Sequence, residues 1–134
     1  SSDIISYHLP KTSFTHHLIN RNSLRKMLPD ALLINYSRGD IQDENAIVEA
    51  LNSGQISGAG LDVIDVEPLP ENSPLRKLEN VVLTPHVAAF SVESRQDIAV
   101  GGVGNLVAVL EGRWPRDGRV VNPDVTPRFK LISH

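Results

Sequence analysis

Four short runs of mainly apolar residues recur along the chain, at positions 4–7, 32–36, 59–63 and 81–83. In the second and fourth, Leu, Ile and Val follow one another without polar alternation. Continuous apolarity predicts strands buried on both faces, as in a parallel sheet. Between the runs the apolar period becomes helical. Leu24, Met27 and Leu28 share one helical face, and Pro29 closes that short segment. Asp43 is placed to cap a helix running to Asn52, with Ala46, Ile47, Ala50 and Leu51 on its inner side. Gly54 supplies the stop. Strand, helix, strand, helix, strand predicts a doubly wound α/β sheet.

Beyond Val63 the pattern breaks. "DVEPLPENSPLRKLEN" is rich in proline and charge, and predicts a loop with at most one helical turn. A longer helix is expected from near Ser91, with Ala99, Val103, Leu106, Val107 and Leu110 as its inner stripe. Gly101, Gly102 and Gly104 lie inside it, each costing about 1 kcal/mol against alanine. A kinked or frayed helix and close backbone packing against a neighbour both account for them. The tail from Gly112 to His134 mixes proline, glycine and charge, and is expected to wrap over another part of the molecule.

Composition narrows the function. The 134 residues suffice for one modest domain. Lys and Arg number 13 against 16 Asp and Glu, a net charge of −3, which argues against a nucleic-acid surface. The chain has no cysteine. A disulfide scaffold, a cysteine nucleophile and a thiolate metal site are thereby excluded, and a cytoplasmic location fits. No apolar run approaches the ~18 residues of a membrane span. The start, "SSDIISYHLP", has neither a basic region nor a cleavage pattern, and enters a strand at once. The expectation is a chain that begins inside a larger domain.

Three ionisable residues follow successive strands. In a doubly wound sheet, ligands bind beyond the carboxyl ends of the strands. Arg38 stands at one such end, before Gly39, and a guanidinium there can grip a carboxylate bidentately. A solvated loop arginine paired with Asp40 or Asp43 is the alternative. Asp62 closes the next strand; its carboxylate can hold a ribose hydroxyl or orient a histidine. Glu67 follows five residues later. His86 comes just after the fourth strand. Together, Arg38 can bind an acid, His86 can move a proton and Glu67 can fix the imidazole. Asp65 reads as loop solvation. His16 and His17 are adjacent, so on a helix or strand their rings diverge, which argues against a metal site. "GAGLDV" leads into a strand instead of following one, and "GGVGNL" lacks the third glycine. No phosphate-cradling G-x-G-x-x-G and no G-x-S-x-G elbow is present.

With these residues assembled, the chain resembles the D-isomer-specific 2-hydroxyacid dehydrogenases over nearly its whole length. "DIISYHLPKTSFTHHLIN" resembles the family's H-x-P-x-T-x-x-T-x-x-L-I-N segment. "LLINYSRGDIQDENAIVEALNSGQISGAGLDVIDVEP" resembles its N-x-x-R-G to L-D-V-x-x-x-E-P block, and "NVVLTPHVAAFSVES" its T-P-H segment. The resemblance implies the C-terminal half of a Rossmann-type NAD-binding domain over residues 1–87. Over 88–134 it implies a helix and tail returning to a substrate domain. It implies hydride transfer between NAD, or NADP, and a D-2-hydroxy acid/2-keto acid pair. Arg38 would bind the carboxylate, with His86 as acid/base and Glu67 as its partner. Asp62 would sit near the nicotinamide. Leu9, Pro10, Thr15, Tyr36, Ser37, Arg38, His86, Ala88 and Ala89 would line the cofactor cleft. A homodimer is implied as well.

"THHLIN", "HVAAFS" and "EGRWPRDGRVVNPD" resemble the branch that holds the C-terminal-binding-protein corepressors and their bacterial relatives. This offers an alternative: an NAD(H)-sensing dimeric scaffold, nuclear rather than cytoplasmic, with little turnover. Ala89 stands where those corepressors carry a tryptophan, which weakens it. The family's phosphate loop has no counterpart here. The 134-residue chain by itself is therefore expected neither to hold NAD tightly nor to turn over.

Overall fold

A computed structural model describes residues 2–115, 120–122 and 124. The chain divides into two compact units, Ser1–Ala88 and Ala89–His134.

The first unit is built on four parallel strands: β1 (Ile4–Tyr7), β2 (Leu32–Asn35), β3 (Gly58–Leu61) and β4 (Val81–Leu83). They lie side by side in sequence order, with Ile4 opposite Leu32, Leu32 opposite Gly58 and Ala59 opposite Val81. All four carboxyl ends therefore emerge at one edge, as the strand-and-helix pattern predicts.

Helix α1 (Arg21–Leu24) is started by Asn20, whose side chain accepts from Asn22 N and Ser23 N while Ser23 Oγ accepts from Asn20 N. Helix α2 (Glu44–Asn52) is capped by Asp43, which accepts from Ala46 N at 3.1 Å. It ends in a Schellman motif: Gly54 N donates to Leu51 O and Gln55 N to Ala50 O, with Gly54 at φ 71°. Arg21 grips Glu49 through two hydrogen bonds of 2.5 and 2.7 Å, tying α1 to α2. Two single turns of 3-10 helix, α3 (Gly39–Ile41) and α4 (Pro74–Lys77), complete this unit; the second is the one turn expected in the proline-rich loop.

The core lies on one face of the sheet. Leu33, Leu61, Ile41, Ile47, Leu51, Ile56 and Leu75 are buried in one cluster with Leu24 and Tyr7. All four residues assigned to the inner face of α2 are in it. The expectation of strands buried on both faces is corrected. Burial alternates along β2, with Leu32 41 % exposed, and Val82 on β4 is 68 % exposed. Both helices joining β1 to β2 and β2 to β3 pack on the same side, as right-handed crossovers of one sense require. Leu32, Ile34, Gly58, Gly60 and Val82 line an apolar trough on the other side.

In the second unit, α5 (Val92–Leu110) starts at Ser91, whose hydroxyl accepts from Ser94 N at 3.0 Å. It ends in a second Schellman motif at Gly112. The expected inner stripe is corrected: Ala99, Val103, Leu106, Val107 and Leu110 are exposed, and Ala108 is the buried residue. The helix runs unbroken through its glycines. A Cβ at Gly102 or Gly104 would meet nothing within 4 Å, so neither glycine marks a close contact among the described residues. The expectation for the tail falls mostly outside the described residues.

Candidate active site

The polar candidates of the first unit other than Thr15 sit at or just beyond the carboxyl edge of the sheet. Tyr7 ends β1 and leads to His8, Leu9 and Pro10. Asn35 ends β2 and leads to Tyr36, Ser37 and Arg38. Asp62 follows β3, and Thr84, Pro85 and His86 follow β4.

His86 is the most constrained of them. Its φ is 56°, the left-handed region that non-glycine residues seldom occupy. Its N–H donates to Asp62 O at 2.8 Å and to Thr84 O at 3.0 Å. Its Nδ1 meets Glu67 Oε2 at 2.8 Å. A carboxylate can only accept, so this edge of the ring carries its proton on Nδ1. Nε2 is left as the nitrogen that can exchange a proton with a ligand. The Glu67–Pro68 peptide bond is cis.

Asp62 braces the same loop. It is buried, and its Oδ1 accepts from Thr84 Oγ1 at 2.5 Å and Val87 N at 2.9 Å, while Oδ2 accepts from Ala88 N at 2.9 Å. Burial pushes this carboxyl upward. The hydrogen bonds from Thr84, Ala88 and Val87, with His86 close by, outweigh burial and hold it below the usual carboxylate range. Asp62 thus ties β3 to the turn that presents His86. A group with a depressed folded pKa stabilises fully above its unfolded value of ~3.9 and loses that contribution as pH falls through the folded value. Asp62→Asn puts an amide N–H against a backbone N–H and is expected to cost about 1–3 kcal/mol. Melting followed from pH 7 downward should show a lower Tm for the variant at neutral pH. The gap should narrow in acid, below about pH 4, as wild-type Asp62 protonates.

The second half of the site surrounds Arg38. Its guanidinium is exposed and donates from Nη1 to Ser37 O at 2.6 Å. Neither expected partner pairs with it: Asp40 meets Lys11 at 2.7 Å and Asp43 meets Arg21 at 3.7 Å. Among the described residues Arg38 forms no ion pair. It lines a cavity of about 630 Å³ with His8, Leu9, Pro10, Lys11, Tyr36 and Ser37. His8 and Tyr36 meet edge to face there, ring centroids 5.2 Å apart. The Glu67–His86 pair lines a different cavity of about 470 Å³, with Asp62, Ile64, Leu69, Leu83 and Thr84. Arg38 and His86 thus share the sheet edge and not a cavity.

The remaining candidates separate. Tyr36 and Ala88 also border the apolar trough on the uncovered sheet face. Thr15 turns inward on its own loop, donating to Pro10 O at 2.8 Å and accepting from Thr12 N at 2.8 Å, and lines none of these cavities. Ala89 opens the second unit. The rings of His16 and His17 do not diverge as expected. They stack at 4.0 Å, because His17 lies in a turn with φ 49° instead of a helix or strand. Among the described residues no group of three or more His, Asp or Glu could hold a metal ion.

One part of the site went unassigned in the sequence. Asn35 and Gln42 are both fully buried. Gln42 Oε1 accepts from Tyr7 Oη and, at 3.1 Å, from Asn35 Nδ2. Asn35 also donates to Arg38 O at 3.0 Å, and its Oδ1 accepts from Ser37 N and Ser37 Oγ, each at 2.9 Å. Burial pushes the Tyr7 phenol well above its ordinary range, so it serves here as a donor. A polar amide closing the apolar run 32–35 was the available signal.

A four-stranded parallel sheet with ionisable side chains gathered at its carboxyl edge defines half of a doubly wound, nucleotide-binding type of domain. The comparisons carry this further. The model of the D-isomer specific 2-hydroxyacid dehydrogenase, NAD binding domain, matches residues 1–88. The chain belongs to the D-isomer-specific 2-hydroxyacid dehydrogenase family. It is 53 % identical over 114 residues to a glyoxylate reductase of Thermofilum pendens, covering 85 % of this chain and 34 % of that protein. It is 50 % identical over 124 residues to glyoxylate/hydroxypyruvate reductase B of Pectobacterium carotovorum, covering 92 % and 38 %. The crystal structure of the TT0316 protein from Thermus thermophilus superposes with a TM-score of 0.84 at 47 % identity, covering 89 % of this chain and 38 % of that one. The chain thus spans little more than a third of the length of these relatives.

Proposed function

We propose that the complete protein is an NAD(P)-dependent D-2-hydroxyacid dehydrogenase that reduces small 2-keto acids. The carrying observation is the 2.8 Å contact between His86 Nδ1 and Glu67, held at the carboxyl edge of the sheet. The residues present suit the nicotinamide end of a dinucleotide. Leu9, Pro10 and Tyr36 give apolar walls beside the polar groups of Ser37, and Asp62 and Ala88 lie at the same edge. A bound nicotinamide would supply the hydride.

This chain's residues do the rest. Arg38 holds the substrate carboxylate, its guanidinium being paired with no acidic side chain among the described residues. Protonated His86 gives its Nε2 proton to the oxygen on substrate C2 as charge develops there. Glu67 keeps the ring turned, its carboxylate 2.8 Å from His86 Nδ1. Glyoxylate and hydroxypyruvate are proposed as first substrates, because one relative is named glyoxylate reductase and the other glyoxylate/hydroxypyruvate reductase B. The same names favour an enzyme over the corepressor-like scaffold. A cytoplasmic homodimer without direct nucleic-acid or membrane contact completes the reading. The exposed apolar side chains of α5 support the dimer. No helix among the described residues is long and apolar enough to cross a membrane.

The test is oxidation of NADH and of NADPH by the complete protein against glyoxylate, hydroxypyruvate and a panel of larger 2-keto acids. Wild type should turn over at least one of them. Arg38→Ala should raise KM roughly a hundredfold, the worth of a bidentate charged pair of about 2–3 kcal/mol. Inertness toward every acid sinks the enzyme reading, and NADH-dependent partner binding without turnover would install the scaffold.

A further inference from the structure

We infer that Asn35 is a positioning residue for carboxylate recognition: its buried amide fixes the turn that aims Arg38. The inference rests on Arg38 as the carboxylate ligand and adds what holds that ligand in place.

Arg38 has little of its own to hold it. Its side chain is exposed, and among the described residues its guanidinium hydrogen-bonds to the neighbouring Ser37 carbonyl, at 2.6 Å. Where the guanidinium points is therefore set by the main chain of residues 35–38. That turn is tied from inside by one side chain. Asn35 Oδ1 takes both the N–H and the hydroxyl of Ser37, and Nδ2 takes the carbonyl of Arg38, at 2.9, 2.9 and 3.0 Å. Its second N–H goes to Gln42 Oε1 at 3.1 Å, and Gln42 in turn receives Tyr7 Oη. Two acceptor lone pairs and two N–H donors are all an amide has, and all four are used. Aspartate lacks the donors, and leucine would leave Ser37 N, Arg38 O and Gln42 Oε1 without the partner each now has. Asn35 is 0 % exposed, whereas Ser37 is half-buried and Arg38 exposed, so removing the amide unties the turn more than it strands a buried group, and Gln42 Oε1 keeps Tyr7 Oη. The chain of contacts from Tyr7 through Gln42 to Asn35 also ties the end of β1 to the Arg38 turn. Asn35 itself touches no substrate; it acts through Arg38.

The test is a double-mutant cycle in the complete protein, at known active-site concentration, with Arg38→Ala, Asn35→Ala and both together. Asn35→Ala should raise KM for the 2-keto acid about tenfold with kcat within about twofold, the effect of one or two lost bonds on binding. In the Arg38→Ala background the same change should raise KM no further. Asn35→Ser, which keeps a hydroxyl at the turn, should show a smaller rise and decides the matter if the alanine variant does not fold. A lowered Tm with unchanged KM in the folded variants, or KM effects that multiply across the cycle, overturns the inference while Arg38 keeps its role. An Arg38→Ala protein with wild-type KM removes the carboxylate reading, and the inference with it.

Discussion

Replacing His86 by glutamine in the complete protein should lower kcat for 2-keto-acid reduction about a thousandfold, within the 10²–10⁴ range of a lost general acid. KM should change little. Glutamine fills similar space and can still hydrogen-bond, but it cannot deliver a proton, so the loss falls on the transition state. Glu67→Gln is the graded companion. Its amide oxygen can still accept from His86 Nδ1, now 2.8 Å from Glu67, but it brings no charge to the developing imidazolium. About a tenfold to hundredfold loss is expected there, between wild type and His86→Gln. Stability should move little in either variant, because both side chains are partly exposed, at 48 % and 39 %. Steady-state rates at one pH, read beside thermal melts, separate these outcomes. A wild-type kcat in His86→Gln would place the proton donor elsewhere.

What could be read from the chain was what local chemistry decides. Helix α2 was legible from end to end because its cap, inner face and stop are each set by residues close in sequence: Asp43, then Ala46, Ile47, Ala50 and Leu51, then Gly54. The strands were legible because each apolar run is short and lies close to polar, proline or glycine residues. Glu67 and His86 were legible as types at strand ends. Their pairing was expected and is present, whereas the left-handed turn at His86 and the bracing by Asp62 that set it up were not legible. Burial on both faces was read from apolar runs, yet a run of Leu and Ile states only what could be buried; which face is covered depends on where the crossovers lie. The stripe on α5 failed for the same reason. His16 and His17 failed differently, because divergence of neighbours holds for a helix or strand and they lie in a turn. Asn35 and Gln42 passed unread because each looks like an ordinary polar interruption. Their contact forms only once the chain turns back after β2, and its link to Tyr7 only once β1 and β2 lie side by side.

Gly39→Ala is expected to be the most damaging single methyl in the first unit. An ideal Cβ at this position would lie 1.9 Å from Ile64 O, 2.2 Å from Ile64 C and 2.9 Å from Asp65 N. All three are backbone atoms, so no side chain can swing away to make room. Either the Arg38 turn or the segment after β3 must move. Forcing main chain apart in a packed site costs about 3–5 kcal/mol, at the severe end of single substitutions. Gly54→Ala separates this clash from backbone preference. Gly54 has φ 71° and nothing within 4 Å of its missing Cβ, so alanine there should cost only about 1 kcal/mol. Urea denaturation of both variants against wild type should show that ordering. Activity should follow for Gly39→Ala even where the fold survives. Ile64 N donates to Glu67 Oε1 at 3.4 Å, so displacing Ile64 also displaces the carboxylate that holds His86. The same methyl pushes from the other side on the residue after Arg38. Equal stability losses at Gly39 and Gly54 would show that the approach between these two segments is looser than the geometry requires. The close pairing of the arginine turn with the glutamate loop would then be an incidental contact instead of the means by which one glycine holds both halves of the site.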